Sequence, residues 1–220
     1  MNGDSSLIPD VRPPNPPWIP ISNRTSNIAT LSYYYSDAKS LVPIRDVTTK
    51  NDAKRDPNLE TLTYGLFSKC CRTERKAIVE NGITTQFFCT ARSNSIRVLT
   101  GYYRPAWYCQ IDADDYAIAA ESARFVSPGF VFADLSDFLG KRISWFRTWR
   151  KILGEELIWR LKLLIDSAPN ATETYLSEIH RLEASELEQN GIIYNDINGG
   201  RNHGFSWEDA GLFLRDKRLI

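Results

Sequence analysis

The sequence predicts an α+β protein, with a small mixed or antiparallel, barrel-like sheet followed by a helical C-terminal part. Short apolar segments alternate with turn residues over 28–134, which is typical of strands. From residue 135 onward the hydrophobic period changes from two residues to about 3.6, which is typical of helices. We therefore divide the 220-residue chain into an N-terminal arm over 1–27, a β-rich core over 28–134 and a helical region over 135–220.

The N-terminal arm is rich in proline, with six prolines in its first 20 residues. Each proline fixes φ and removes a backbone donor, so this arm cannot form a helix or a central strand. We expect an extended segment, of the polyproline II kind. Trp18 lies at its end and would pin the arm either to the body of the protein or to a partner.

In the core, one short helix is predicted over about residues 73–81, because Gly82 suits the left-handed residue that ends many helices. Turn residues over 93–95 predict a hairpin. Further turns are expected at Asp114-Asp115 and at Ser127-Pro128-Gly129, and Pro105 is expected to interrupt a strand. The predicted strands are Ile28–Tyr35, Leu59–Phe67, Ile83–Thr90, Ile96–Tyr103, Trp107–Ile111, Tyr116–Ala120, Arg124–Val126 and Phe130–Ala133.

The C-terminal region reads as helices. Residues 141–166 show a long helical pattern whose broad apolar stripe includes Trp149, Trp159 and Leu163. Gly154 costs about 1 kcal/mol against alanine in a helix and marks a point where this one bends or divides. Asn170 or Thr172 would cap a second helix that Asn190-Gly191 closes, and a last helix would start near Ser206.

Charge and composition exclude some classes of protein. The chain has 27 basic and 27 acidic residues, which argues against a protein that coats nucleic acid non-specifically. The charge is segregated, however: residues 69–104 hold seven basic and two acidic side chains, and residues 141–162 hold seven and two. The first ten residues lack the features of a signal peptide, and no apolar run is long enough to span a membrane. We expect a soluble protein of the cytoplasm or nucleus.

The segment from Arg97 to Cys109 is the most distinctive of the chain. Gly101 within a strand indicates a bulge or the close approach of a ligand. Aromatic rings interleaved with basic groups are what unpaired bases need, since the rings stack and the cations neutralise phosphates. The predicted ligand-binding residues are Arg97, Gly101, Tyr102, Tyr103, Arg104, Trp107 and Tyr108. The alternative is that successive rings face the two sides of a sheet.

This segment and its neighbours resemble the PUA-like β-barrels of the EVE and ASCH kind. The resemblance lies in the order of a helix over 73–81, the strands Ile83–Thr90 and Arg97–Tyr103, and the segment Asp115–Ala119. It covers about a third of the chain and includes no exact diagnostic motif. It implies a small barrel that binds RNA or a modified DNA base in a pocket lined by Tyr102, Tyr103, Trp107 and Tyr108.

The favoured function is therefore non-catalytic recognition of nucleic acid, RNA or DNA, without a cofactor or a metal. Basic side chains in or beside the helix over 73–81 and the helix over 141–166 would contact phosphates. These predicted phosphate contacts are Lys69, Arg72, Arg75, Lys76, Arg147 and Lys151.

Two other classes of function stay open. A thiol-dependent enzyme would use Cys70-Cys71, because a helix N-terminus with nearby cations lowers a thiol pKa. A metal-dependent enzyme would use Asp112 to Asp115, although those residues also suit a turn. The four cysteines, which include Cys89 and Cys109, would hold a metal or lie buried as small apolar groups. The third reading is a subunit of an assembly, with the arm or helix 141–166 contacting a protein partner.

Overall fold

The structure is a computed structural model that describes residues 18–35, 46–49, 52–55, 57–59, 61–65, 71–91, 97–131, 135, 149–191 and 193–194. Several predicted features lie outside these residues. They are the arm before Trp18, the turn over 93–95, residues 141–148 of the predicted long helix, and the last helix near Ser206.

One mixed sheet of seven strands organises the described chain. Its strands are β1 (Ile19–Pro20), β2 (Ile28–Tyr35), β5 (Thr63–Tyr64), β6 (Gln86–Ala91), β7 (Arg97–Asp112), β8 (Asp115–Val131) and β9 (Trp149–Leu153). Their order is β5-β8-β7-β6-β2-β9, and β1 pairs with β7. β2 and β6 are parallel, and the other pairs of this sheet are antiparallel. The predicted α+β class is confirmed, and over the described residues the sheet is open, not closed into a barrel.

The hairpin of β7 and β8 is the longest element of the sheet. Residues 113–114 form its turn, one residue earlier than the predicted turn at Asp114-Asp115, because Asp115 already pairs with Asp112. The expected breaks at Pro105 and at Ser127 to Gly129 are wrong, because both strands continue through them. The register shifts beside Pro105 instead, so a bulge absorbs the missing donor without ending the strand. The predicted pairing of the strands around 83–90 and 96–103 is confirmed as β6 against β7.

The predicted short helix is confirmed as α1 (Arg72–Glu80). Gly82 follows it with a positive φ of 59°, in the left-handed region that glycine tolerates. α1 packs on one face of the sheet over a cluster that includes Phe88, Tyr103 and Phe125. This cluster buries one side of the long hairpin.

The single helix predicted over 141–166 is wrong over 149–153, where the chain forms strand β9. β9 pairs antiparallel with β2, and Gly154 then turns the chain into α2 (Glu155–Ser167). Gly154 has a φ of 102°, which an L side chain rarely adopts. α2 covers the other face of the sheet with Ile158, Leu161 and Ile165, over a second cluster that includes Phe87 and Tyr102.

α3 (Thr172–Asn190) begins and ends as predicted. The Thr172 backbone N–H donates to Asn170 Oδ1 over 3.1 Å, and Gly191 follows the helix with a φ of 64°. Ala171, Tyr175 and Ile179 are buried in the α1-side cluster. A small separate sheet joins β3 (Asp46–Thr49), β4 (Asp52–Arg55) and β10 (Ile193–Tyr194) in the order β10-β4-β3. Among the described helices, none combines the length and the apolar character that crossing a membrane requires.

Candidate functional site

The four rings of the predicted aromatic pocket do not share one pocket. Tyr103 is fully buried in the α1-side cluster, where its hydroxyl donates to the Asn58 carbonyl over 2.7 Å. Tyr102 is buried on the opposite face, in the α2-side cluster. Trp107 and Tyr108 are partly buried against the α1-side cluster. Successive residues of a strand face opposite sides of the sheet, so the rings are divided between two cores.

Gly101 and Arg97, two further predicted ligand-binding residues, both lie in strand β7. A Cβ on Gly101 would lie 2.3 Å from the Arg124 carbonyl oxygen, so the close approach at Gly101 is to the neighbouring strand β8. The expected bulge is present, since the register shifts between Leu99 and Gly101. Arg97 is partly buried at the start of β7.

The predicted phosphate contacts are scattered. Arg75 cannot contact a phosphate, because its side chain is fully buried and pairs with Asp115 at 2.7 Å. Lys76 pairs with Asp114 on the surface of α1. Arg72 on α1 and Lys151 on β9 are exposed, on different elements. Lys69 and Arg147 lie outside the described residues.

The residues of the two enzyme hypotheses do not assemble a centre in the described part of the chain. Cys89 and Cys109 are buried in different clusters, and burial raises the pKa of the Cys89 thiol to about 12 and that of Cys109 to about 11. Asp114 and Asp115 each pair with a cation. The described residues contain no group of three potential metal ligands. Cys70 lies outside them, and Cys71 is partly exposed before α1.

A groove of about 940 Å³ runs along α2 where the helix lies over the starts of β2 and β6. We call it the α2 groove. Its volume is at the upper end of the range of small-molecule sites, which is about 300–1,000 Å³. The helical wall is formed by Glu155, Glu156, Ile158, Trp159, Lys162, Leu163 and Asp166. The sheet wall is formed by Ser26, Thr84, Thr85 and Arg104.

The helical wall presents apolar side chains to solvent. Trp159 is 58% exposed and Leu163 is 46% exposed, one helical turn apart. These two side chains therefore form a small exposed apolar patch on the helical wall of the groove.

Lys162 provides a positive charge between Trp159 and the sheet. Its Nζ lies 5.0 Å from the centre of the Tyr102 ring, a cation–π contact. Across the described chain, no carboxylate lies within ion-pair distance of this ammonium group. Asp166, one turn along the helix, accepts from the Tyr102 hydroxyl over 2.8 Å.

Arg104 adds a second cation at the sheet wall. Its guanidinium lies 3.0 Å from Glu121 Oε1, and the Arg24 guanidinium lies 2.9 Å from the same oxygen. Two cations therefore share one carboxylate on this side of the groove. The lining also includes the carboxylates of Glu155 and Glu156, which accept hydrogen bonds from Ser26 and Arg160.

Thr85 on the sheet wall is a polar group without a partner. Its side chain is only 4% exposed, yet it lines the groove. No hydrogen bond involves its hydroxyl in the part of the chain that the structure describes. The residue lies on the groove, so a hydroxyl without a protein partner there is available to a ligand or a water.

A second polar cluster lies under α1, away from the groove. Glu74 is fully buried and accepts hydrogen bonds from the Ser32 hydroxyl over 2.5 Å and from the Tyr64 hydroxyl over 2.9 Å. Burial raises the pKa of Glu74 above its usual range, although these hydrogen bonds and the nearby Arg75 charge oppose the change. These hydrogen bonds join α1 to β2 and β5.

Sequence reasoning found Arg104 but missed Trp159, Lys162 and Thr85 as site residues. Trp159 falls on the predicted apolar stripe only if the helical period runs through Gly154. A helix that starts at residue 155 buries Ile158, Leu161 and Ile165 instead. The signal that the sequence offers is the glycine itself, since glycine is unfavourable inside a helix.

No family model matches this chain, and no curated protein or solved structure matches it significantly.

Proposed function

We propose that the protein binds single-stranded nucleic acid in the α2 groove. The observation that carries this proposal is the exposed Trp159 ring beside Lys162, whose charge no described carboxylate neutralises. Binding of a single strand combines these two elements, since a base stacks on the ring and a phosphate is neutralised by the cation. The function predicted from the sequence is kept, and the proposed site moves from the β7 rings to the α2 groove.

The sheet wall supplies the complementary contacts. Arg104 stands at the rim with nearly half of its side chain exposed. The unpartnered Thr85 hydroxyl can donate to a phosphate or sugar oxygen, or accept from a base edge. The groove therefore offers a stacking platform, two cations and a neutral hydrogen-bonding group within one concave surface.

A protein partner is the rival occupant, because Trp159 and Leu163 would also suit an apolar peptide. Lys162 favours nucleic acid, since an unneutralised cation at the centre of a groove is costly to cover with apolar side chains. Salt distinguishes the two occupants. The affinity for a single strand should fall with salt concentration in proportion to the number of phosphates neutralised, whereas the affinity for an apolar peptide should not.

The test measures fluorescence anisotropy of a fluorescein-labelled oligouridine and of the matching oligothymidine, at low and at physiological salt, with the full chain. Trp159→Ala should weaken binding by about five- to 150-fold, because stacking one base is worth about 1–3 kcal/mol. Lys162→Gln should weaken binding and reduce the slope of log affinity against log salt by about 0.7, the value for one phosphate contact of a single strand.

Two matched variants serve as controls outside the groove. Leu187→Ala changes a similarly exposed apolar side chain on α3, and Lys76→Gln removes a surface lysine on α1. Neither should change the affinity more than about twofold, which corresponds to less than 0.5 kcal/mol. The proposal is rejected if neither oligonucleotide binds, or if Trp159→Ala and Lys162→Gln bind as tightly as the controls.

A further inference from the structure

Lys162 and Asp166 are four residues apart on α2, a spacing at which opposite charges on a helix usually pair. They do not pair here. Asp166 Oδ1 lies 2.8 Å from the Tyr102 hydroxyl and 3.3 Å from Arg124 Nε. The carboxylate nearest to Lys162 along the helix is therefore occupied by two other side chains.

Tyr102 makes one contact with each member of the pair. Its hydroxyl donates to Asp166, and the face of its ring lies under the Lys162 ammonium. A cation–π contact orients an ammonium group without neutralising it, since the ring carries no net charge. Tyr102 thereby separates the two charges that the helix would otherwise bring together.

Arg124 is fixed independently of the Asp166 carboxylate. Its Nη2 donates to the backbone carbonyl of Asp166 over 2.9 Å and to that of Ala168 over 2.7 Å, at the C-terminal end of α2. That end of a helix carries partial negative charge and attracts a cation. The guanidinium is therefore held where it also neutralises the Asp166 carboxylate.

We infer that Arg124 and Tyr102 are positioning residues, which engage Asp166 so that the Lys162 ammonium stays available for an anionic group of the ligand. The inference rests on the proposed function only in naming that anionic group as a phosphate of nucleic acid. If Asp166 were released, it would pair with Lys162 and would repel a phosphate in the groove.

The test is a double-mutant cycle in oligouridine affinity, with Arg124→Gln, Asp166→Asn and the double variant. Arg124→Gln should release Asp166 to Lys162 and weaken binding by about fivefold, within the range of coupling between contacting residues. Asp166→Asn alone should change affinity less than about twofold, because Arg124 already neutralises that carboxylate. The double variant should bind within about twofold of the wild type, since Lys162 is again free.

An explanation based on net charge alone predicts a different result. If Arg124 and Asp166 acted only as distant charges, Asp166→Asn would strengthen binding by the same factor in both backgrounds. Arg124→Gln could instead weaken binding by disrupting the C-terminal end of α2. In that case, adding Asp166→Asn to Arg124→Gln would not restore the affinity. Either outcome overturns the inference. The circular dichroism spectrum and the free energy of unfolding of each variant show whether α2 persists.

Two further variants separate this inference from the proposed function. Tyr102→Phe keeps the ring under Lys162 and removes the hydroxyl that holds Asp166, so it should weaken binding in the same direction as Arg124→Gln. In a Lys162→Gln background, Arg124→Gln should have no further effect. If Lys162→Gln weakens binding but the cycle shows no coupling, the inference fails and the proposed function stands. If Lys162→Gln has no effect, the proposed function fails first.

Discussion

Arg75 and Asp115 form an ion pair in the interior, with 2.7 Å between Arg75 Nη2 and Asp115 Oδ1 and with both side chains almost fully buried. Arg75 Nε also donates to the Tyr116 carbonyl over 2.6 Å, and its guanidinium lies 5.2 Å from the centre of the Tyr64 ring. α1 is thus tied to the start of β8 and to β5. A buried charge persists only when it is paired and hydrogen-bonded.

Arg75→Met is therefore expected to lower the free energy of unfolding by about 3–5 kcal/mol, because it leaves the Asp115 carboxylate buried without its cation. Urea denaturation followed by circular dichroism measures the change. Lys76→Gln, which removes the solvent-screened pair with Asp114, should leave the urea midpoint nearly unchanged. Equal effects of the two substitutions would contradict this structural role of Arg75.

Glu74 should make stability depend on pH. Its pKa is raised in the folded protein, mainly by burial, so the folded state holds the proton more tightly than the unfolded chain does. The resulting stabilisation is fully present below the ordinary pKa of a glutamic acid and is lost as the pH rises through the raised value. Glu74→Gln keeps a neutral side chain of the same shape and removes this titration.

The free energy of unfolding of the wild type should therefore fall relative to that of Glu74→Gln as the pH increases above the ordinary range of a carboxyl group. Urea denaturation of both proteins at a series of pH values gives the difference. A difference that stays constant with pH, or that changes in favour of the wild type as the pH rises, would show that the pKa of Glu74 is not raised.

Cys89 and Cys109 should resist alkylation in the native protein. Only a thiolate reacts with iodoacetamide, and burial raises the pKa of Cys89 to about 12 and that of Cys109 to about 11. Mass spectrometry after treatment at mildly alkaline pH should find both unmodified in the folded protein and both modified in urea. Rapid native modification of either thiol would place it outside the core.

Gly101→Ala should destabilise the hairpin of β7 and β8. The added Cβ would meet the Arg124 carbonyl oxygen at 2.3 Å, and a backbone atom in a sheet cannot move aside cheaply. Overpacking of this kind costs about 1–3 kcal/mol. Thermal denaturation should show a lower midpoint than for the wild type, and an unchanged midpoint would indicate that the two strands lie further apart.

Thr85→Val should lower the affinity for the ligand without lowering the stability of the fold. The hydroxyl has no partner in the described protein, so its replacement by a methyl group of similar shape should leave the free energy of unfolding unchanged or slightly higher. If the hydroxyl bonds to the ligand, oligouridine affinity should fall by about two- to tenfold, the worth of one hydrogen bond. Lower stability together with unchanged affinity would mean that the hydroxyl serves the fold instead.

Local signals in the sequence determined α1 with Gly82 after it, the two hairpins around β7, and the ends of α3 at Asn170 and Gly191. Each depends on turn, capping or alternation chemistry among residues close in the chain, which acts in the same way whatever the rest of the fold does.

Tertiary structure decided the features on which the proposed function rests. Trp149 to Leu153 became a strand because β2, more than a hundred residues earlier, offers an edge for it to pair with. That pairing starts α2 at Glu155 and turns Trp159 outward. Contacts between distant residues also decided that Lys162 does not pair with Asp166. The sequence places Asp166 one turn away, but Tyr102 and Arg124, brought in by the sheet, engage that carboxylate first. Contacts between distant residues outweigh local preferences here, because burial and pairing against the sheet are worth more than the propensity of a short segment.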